Sequence, residues 1–205
     1  MINIFMHRRQ NYKIYNPRHA VSLTVERELD LALTHAPIQL NGEHSNSFAV
    51  FKLKHNQLED QEMLANVFGN SALNKTEAAP LTAPLVYLYC RALANTTHHW
   101  HHIGICSGMQ LERANSLEQP ASMIGCKFDY TNTREFLNRF NTWLRLRFPD
   151  VDTTKQYAPV VTLCVGTPSS EFIQPSEVDI TLKNGSTITA NILANKQGAR
   201  PRYYL

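Results

Sequence analysis

The segment Val178-Asp-Ile-Thr-Leu-Lys183, Asn184-Gly185, Ser186-Thr-Ile-Thr-Ala-Asn-Ile192 carries the cleanest local signal in the chain. Both arms alternate apolar and polar residues, the period of a strand with one buried face. Asn-Gly between such arms offers two positions that tolerate positive φ. The spacing therefore predicts a hairpin closed by a two-residue type I′ turn. Whatever else the chain forms, it contains antiparallel sheet.

Helices and further strands are interleaved before this hairpin. Ser22 to Leu33 reads as a helix whose Val25, Leu29, Ala32 and Leu33 share one face, with Thr24 as its expected N-cap. Phe48 to Leu53 reads as a strand, and Leu58 to Phe68 as a helix stopped by Gly69. Pro84-Leu-Val-Tyr-Leu-Tyr-Cys90 is rich in β-branched and aromatic residues, and Pro159-Val-Val-Thr-Leu-Cys-Val165 is a buried strand ending at Gly166. Ile103 to Leu117 is apolar on most of its circumference and predicts a central helix buried on several sides. Asn132 to Phe148 is amphipathic, with Phe136, Phe140, Trp143 and Leu144 inside, and Asn132 and Glu135 resemble a capping box. The expected class is α+β: a mostly antiparallel or mixed central sheet flanked by helices.

The chain has 205 residues and neither a repeat nor a low-complexity linker, which points to a single domain over 1–205. Lys and Arg number 20 against 17 Asp and Glu, a formal charge of +3 that is too weak to imply nucleic acid. Charged residues make up 18%, below the roughly 25% usual for a soluble domain. A surface this lean hints at an apolar face covered by a partner subunit. No apolar run approaches the length of a membrane-spanning helix, and Met1 to Tyr15 has its charges in the wrong order for a secretory signal. Cys90, Cys106, Cys126 and Cys164 form no CxxC pair and read as reduced thiols of a cytoplasmic protein.

Four separated stretches together resemble the nitroreductase-like family of FMN-dependent oxidoreductases. Arg8-Arg9-Gln10-Asn11-Tyr12-Lys13 is similar to the family's opening Arg-Arg-Ser-x-Arg. Leu31 to Asn41, through Ala36-Pro37-Ile38-Gln39, follows the first helix and resembles Ala-Pro-Ser-Ser-x-Asn. Ile103 to Leu117, with Pro120-Ala-Ser-Met-Ile-Gly125 after it, resembles the long central helix and its following loop. Ala158 to Pro168 is similar to a strand ending Gly-x-Pro. The set covers about residues 7–170 in order and leaves 171–205 as a divergent hairpin and tail.

The resemblance implies a homodimer with FMN at the subunit interface. It also implies hydride transfer from NAD(P)H through the flavin to a nitro, quinone or similar small-molecule acceptor. FMN carries a dianionic phosphate, which calls for charge-assisted donors. Arg8 and Arg9, with Gln10 beside them, match the phosphate-binding pair, and Arg200 and Arg202 match a second basic pair near the C-terminus, with Lys196 a further candidate. Pro37, Ile38, Gln39 and Asn41 fall where relatives contact the ribityl chain and ring, and Asn74 where an amide meets the ring. Ile124 and Gly125 fall where backbone N–H groups approach the flavin N5 edge. Since the cofactor carries the chemistry, no catalytic side chain is named.

Gln10, Tyr12, Ile38, Glu43 and His44 depart from the family pattern. They motivate a second reading: a relative that keeps the dimer fold, binds flavin weakly or not at all, and serves as a ligand-binding or interaction protein. His98-His99-Trp100-His101-His102 motivates a third, a metal protein, through the i, i+4 spacing of His98 and His102. Surface or interface histidines are the preferred reading of that cluster, and no metal site is assigned.

Overall fold

A computed structural model of the chain describes residues 14–36, 47–54, 58–70, 75–93, 99–126, 133–169 and 177–191. Along these the elements run α1 (Leu23–Thr34), β1 (Phe48–Lys54), α2 (Leu58–Phe68), β2 (Gly69–Asn70), β3 (Lys75–Glu77), α3 (Ala78–Thr82), β4 (Leu85–Ala92), α4 (His99–Ser116), β5 (Ala121–Gly125), α5 (Arg134–Arg147), β6 (Tyr157–Val165), β7 (Glu177–Thr181) and β8 (Thr187–Asn191).

The main sheet has the order β1-β4-β6-β5, and each neighbouring pair is antiparallel. Side chains alternate across a strand, so β4 feeds two cores. Val86, Leu88 and Cys90 join Phe51, Leu53 and the inner faces of α2, α3 and α5. Leu85, Tyr87 and Tyr89 face the other way, onto Leu29 of α1 and Ile103, Cys106, Leu111 and Ala114 of α4. The expected α+β class, an antiparallel central sheet flanked by helices, is what forms.

Polar groups pin the layers. Asn141 of α5 clamps the backbone of Tyr157: its Oδ1 accepts from the N–H at 2.7 Å and its Nδ2 donates to the carbonyl at 2.9 Å. Buried Asp60 of α2 takes both carboxylate bonds from Arg147 Nε, at 3.0 and 3.2 Å. Gln110 of α4 accepts from the Tyr89 hydroxyl and donates to the Leu29 carbonyl, tying strand, helix and helix. Each bond satisfies a group that burial would otherwise leave unpaired.

A second sheet, β2-β3-β8-β7, includes one parallel pair, Thr76 opposite Ala190. It contains the expected hairpin, with a different turn. The Gly185 N–H bonds to the Leu182 carbonyl at 2.9 Å and the Leu182 N–H to the Ser186 carbonyl at 2.7 Å. Only Gly185 in the loop has positive φ, +81°; among described non-glycine residues that property belongs to Glu118. The loop is thus three residues with the glycine at its left-handed position, not a two-residue type I′ turn. Asn184 explains the change. Its Oδ1 accepts from the Ser186 N–H at 2.9 Å and from the Ser186 hydroxyl at 2.6 Å, an Asx bond that closes the loop through the side chain. The tip also grips α2, where Asn184 Nδ2 donates to Glu62 at 3.1 Å and Leu182 is buried.

Three other expectations are corrected. α1 is capped by Ser22, whose hydroxyl accepts from the Val25 N–H at 3.2 Å; Thr24 lies inside the first turn. α5 is capped by Thr133, whose hydroxyl accepts from Phe136 N–H at 3.3 Å. Glu135 therefore sits one position too early to close a capping box. α4 is not enclosed on several sides. Ile103, Cys106, Gln110, Leu111 and Ala114 face the sheet, while Gly104, Ile105 and Glu112 stand exposed.

Candidate flavin edge and the groove beside it

Strand β5 is an outer strand of the main sheet, and its pairing with β6 fixes which backbone groups remain available. The Gly166 N–H bonds to the Pro120 carbonyl at 3.1 Å, and the Cys126 N–H bonds to the Val160 carbonyl at 2.9 Å. In an antiparallel pair, donors alternate between the partner strand and the far side. With Ile124 opposite Thr162 and Gly125 opposite Val161, Ile124 directs its N–H into the ladder and Gly125 directs its own outward. No described strand pairs with that outer edge. Gly125 is exposed, and a Cβ built there would meet nothing within 4 Å. Ile124, by contrast, is buried, and its carbonyl accepts from Thr162 Oγ1 at 3.3 Å. The structure thus divides the expected pair into a buried support and an open donor.

Tyr15 ties two of the family-like stretches together. Its hydroxyl lies 2.7 Å from Ser122 Oγ on β5 and donates to the Cys164 carbonyl on β6 at 3.0 Å. Its N–H donates to Thr82 Oγ1 at 3.1 Å, and its backbone forms a bridge with Pro168. Beside this anchor a Cβ at Gly166 would overlap the Pro84 ring, reaching 2.7 Å from its Cγ. The Gly-x-Pro ending is therefore a close-packed corner where only glycine fits. The chain that leads back towards Arg8 and Arg9 is fastened here, next to the strand that carries Gly125.

Two described members of the histidine cluster part company. His101 is exposed, whereas His102 is half-buried with Nδ1 3.3 Å from Ser47 Oγ and its ring 6.3 Å from that of Phe48. Among the described residues no group of three or more His, Cys, Asp or Glu is placed to hold a metal ion. His98 lies outside the described residues.

The open side of α4 and the neighbouring face of α1 enclose a groove of about 730 Å³, with Leu31, Gly104, Ile105, Gly108 and Met109 along its length. Arg113 and Glu28 form an ion pair across it. On the sheet side of α1, Lys52 binds Asp30 at 2.7 Å and Glu26 at 3.0 Å, and Lys54 binds Glu26 at 3.0 Å. Burial works to raise the Glu26 carboxyl, but the bonds and charge of Lys52 and Lys54 outweigh it and hold the group below the usual carboxylate range. Burial raises the Tyr87 phenol above its ordinary value, reinforced by Asp30, to which its hydroxyl donates at 2.8 Å. Burial pushes the Cys106 thiol up to about 11.

Arg8, Arg9, Gln10, Pro37, Ile38, Gln39, Asn41, Asn74, Lys196, Arg200 and Arg202 lie outside the described residues. Tyr15, Ser122 and the Gly104–Gly108 pair were not singled out from sequence. The i, i+4 glycines on a helix were visible there; the tyrosine's role was not, because its partners are 107 and 149 residues away.

No protein-family model matches the chain, and neither does any curated protein. Solved structures do. A nitroreductase with bound FMN from Bacteroides fragilis superposes with a TM-score of 0.62 at 10% identity, over 86% of this chain and 93% of that one. An FMN-dependent nitroreductase from Clostridium difficile gives 0.53 at 15% identity, over 83% and 88%. A nitroreductase family protein from Clostridium novyi gives 0.55 at 14% identity, over 85% and 89%. The structures it resembles are nitroreductase-family structures, and the chain has the nitroreductase fold.

Proposed function

We propose that the chain is an FMN-dependent oxidoreductase of nitroreductase type, working as a homodimer in the cytoplasm and passing reducing equivalents from NAD(P)H to a nitro, quinone or similar acceptor. The observation that carries this reading is the outer edge of β5. Gly125 presents an outward N–H with no side chain above it and open space around it. A flat ring can approach such a backbone closely, and a carbonyl- or nitrogen-rich rim can accept its hydrogen bond. These residues fit a flavin. Bound FMN would supply hydride uptake and release.

The chain's own part is to bind, orient and exclude water. Ile124 and the packed corner at Gly166 keep β5 rigid behind the ring. Tyr15 fastens the segment that leads to Arg8 and Arg9, the residues assigned to the phosphate, and Arg200 and Arg202 are assigned to the same group. Two bound-FMN or FMN-dependent nitroreductases among the similar solved structures support the choice of cofactor.

The test is an absorption spectrum of the purified protein, with and without added FMN. Oxidised-flavin bands near one FMN per chain, bleached by NADH or NADPH without oxygen, are the expected result. A protein that stays colourless in excess FMN would overturn the reading and favour a flavin-free relative of the same fold. Replacing both Arg8 and Arg9 by Ala should cost about 1.5–3 kcal/mol of FMN binding for each charge-assisted bond lost.

A further inference from the structure

Gly125 owns only half of the peptide unit it presents. The other half is the carbonyl of Ile124, so whatever holds that carbonyl also sets the direction of the Gly125 N–H. The β5–β6 register shows what holds it. The Pro120–Gly166 and Cys126–Val160 bonds fall at even steps from Ile124 and Thr162. Those two residues are therefore a hydrogen-bonded pair, with the Ile124 carbonyl turned inward to β6. A side chain adds a second bond, because Thr162 Oγ1 donates to the same carbonyl at 3.3 Å. Thr162 is fully buried, and its cross-strand neighbours Leu88 and Ile124 both belong to the apolar core. Valine has the same branched shape, so packing alone does not call for a hydroxyl here. With its proton given to Ile124, the threonine oxygen is left to accept from the Cys164 thiol, 3.7 Å away.

We infer that Thr162 is a positioning residue for the outward Gly125 N–H. Its hydroxyl polarises the Ile124–Gly125 peptide and fixes its plane, so the donor aimed at the flavin is stronger and better aligned than the ladder alone would make it. This role rests on the proposed function and adds to it a residue that never touches the ring. Hydrogen bonds in series polarise one another. Here the series runs from the Cys164 thiol through the Thr162 hydroxyl and the Ile124 carbonyl to the Gly125 N–H. Cys164, Thr162 and Ile124 are all buried, so water does not damp the effect before it reaches the open edge. The consequence has a redox sign. The ring nitrogen assigned to Gly125 is an acceptor in oxidised FMN and carries a proton in reduced FMN. A stronger N–H therefore favours the oxidised form and lowers the midpoint potential.

The experiment compares the full wild-type chain with Thr162→Val, which removes only the hydroxyl, and Thr162→Ser, which keeps it. Far-UV circular dichroism checks that each variant folds. In flavin-free, isotope-labelled protein, NMR reads the peptide directly. The Ile124 carbonyl-carbon and Gly125 amide-proton resonances should both move upfield in Thr162→Val and stay close to wild type in Thr162→Ser. In FMN-loaded protein, oxidised FMN should bind about two- to fivefold more weakly to Thr162→Val, while reduced FMN is held as before. The midpoint potential, read against a redox dye, then rises, and serine restores it. Cys164→Ala, which takes the thiol from the series, should raise the potential by less and supplies the test in a second variant. A hydroxyl with a merely structural role would weaken both forms alike and leave the potential in place. That result, or an unmoved Gly125 resonance, overturns the inference while the flavin reading stands. A wild-type chain that takes up no FMN overturns the proposed function and the role of Thr162 with it.

Discussion

The Tyr15 hydroxyl stands 2.7 Å from the hydroxyl of Ser122, joining residues 107 positions apart. This bond and the one to the Cys164 carbonyl lock the early chain to the two strands behind the candidate flavin edge. Removing the oxygen in Tyr15→Phe takes one hydrogen bond from the buried Ser122 hydroxyl and one from the Cys164 carbonyl. The expected loss is about 1–3 kcal/mol of folding free energy, measured by urea unfolding. On the proposed function, FMN affinity should fall in the same variant, since Ser122 and Cys164 lie on the two strands beside Gly125. Unchanged stability would show that the hydroxyl pair is dispensable.

Gly166→Ala should destabilise the protein by about 1–3 kcal/mol, because the new methyl meets the rigid Pro84 ring and Tyr15 from two sides. Gly185→Ala fails for another reason. Nothing crowds its Cβ, but the positive φ of +81° costs an L-residue about 1–2 kcal/mol. Pro84→Ala should relieve the first variant and leave the second unchanged, which thermal melts of the double variants would reveal.

Acid stability follows from Glu26. Its folded carboxyl titrates below the ordinary value of 4.5, so its ion pairs contribute stability above that value. The contribution fades as pH falls from 4.5 through the lower folded value. Urea midpoints followed from neutral pH down to about 3 should drop less steeply in Glu26→Gln than in the wild type, and the variant should be the less stable of the two at neutral pH. Parallel slopes in the two proteins would remove Glu26 from the account.

Thiol chemistry gives a further check. Cys90, Cys106 and Cys164 are buried, and burial raises the Cys90 thiol and takes Cys106 to about 11. Thiolate is then scarce at neutral pH, and labelling by a disulfide reagent should be slow at these three positions until the protein is unfolded. Rapid labelling of Cys106 in the folded chain would show that α4 is less firmly seated than its contacts imply.

Periodicity revealed the large elements. α2 begins and ends where the apolar pattern and Gly69 place it, and α5 buries the anticipated Phe136, Phe140, Trp143 and Leu144. Caps were less legible, because Ser22 and Thr24 are chemically equal candidates two residues apart and only the backbone path decides. β2, β3 and α3 span two to five residues, too few for any period, and β3 is held by a parallel partner more than a hundred residues later. α4 misled for a deeper reason. An apolar circumference does not say which side meets the sheet, and here Ile103, Cys106, Leu111 and Ala114 do so while Gly104 and Ile105 stay exposed. Gly125 was reached by resemblance, and its outward donor became visible only through the β5–β6 register.

Strand β1 ends the main sheet opposite β5, and such a border is an invitation to unwanted pairing between molecules. Lys52 and Lys54 put two ammonium groups on that border, held in place by acidic groups of α1. The same network that ties helix to strand thereby also guards solubility. Neutralising the lysines should turn a stable subunit into one that gathers into fibrous or amorphous aggregate before it unfolds.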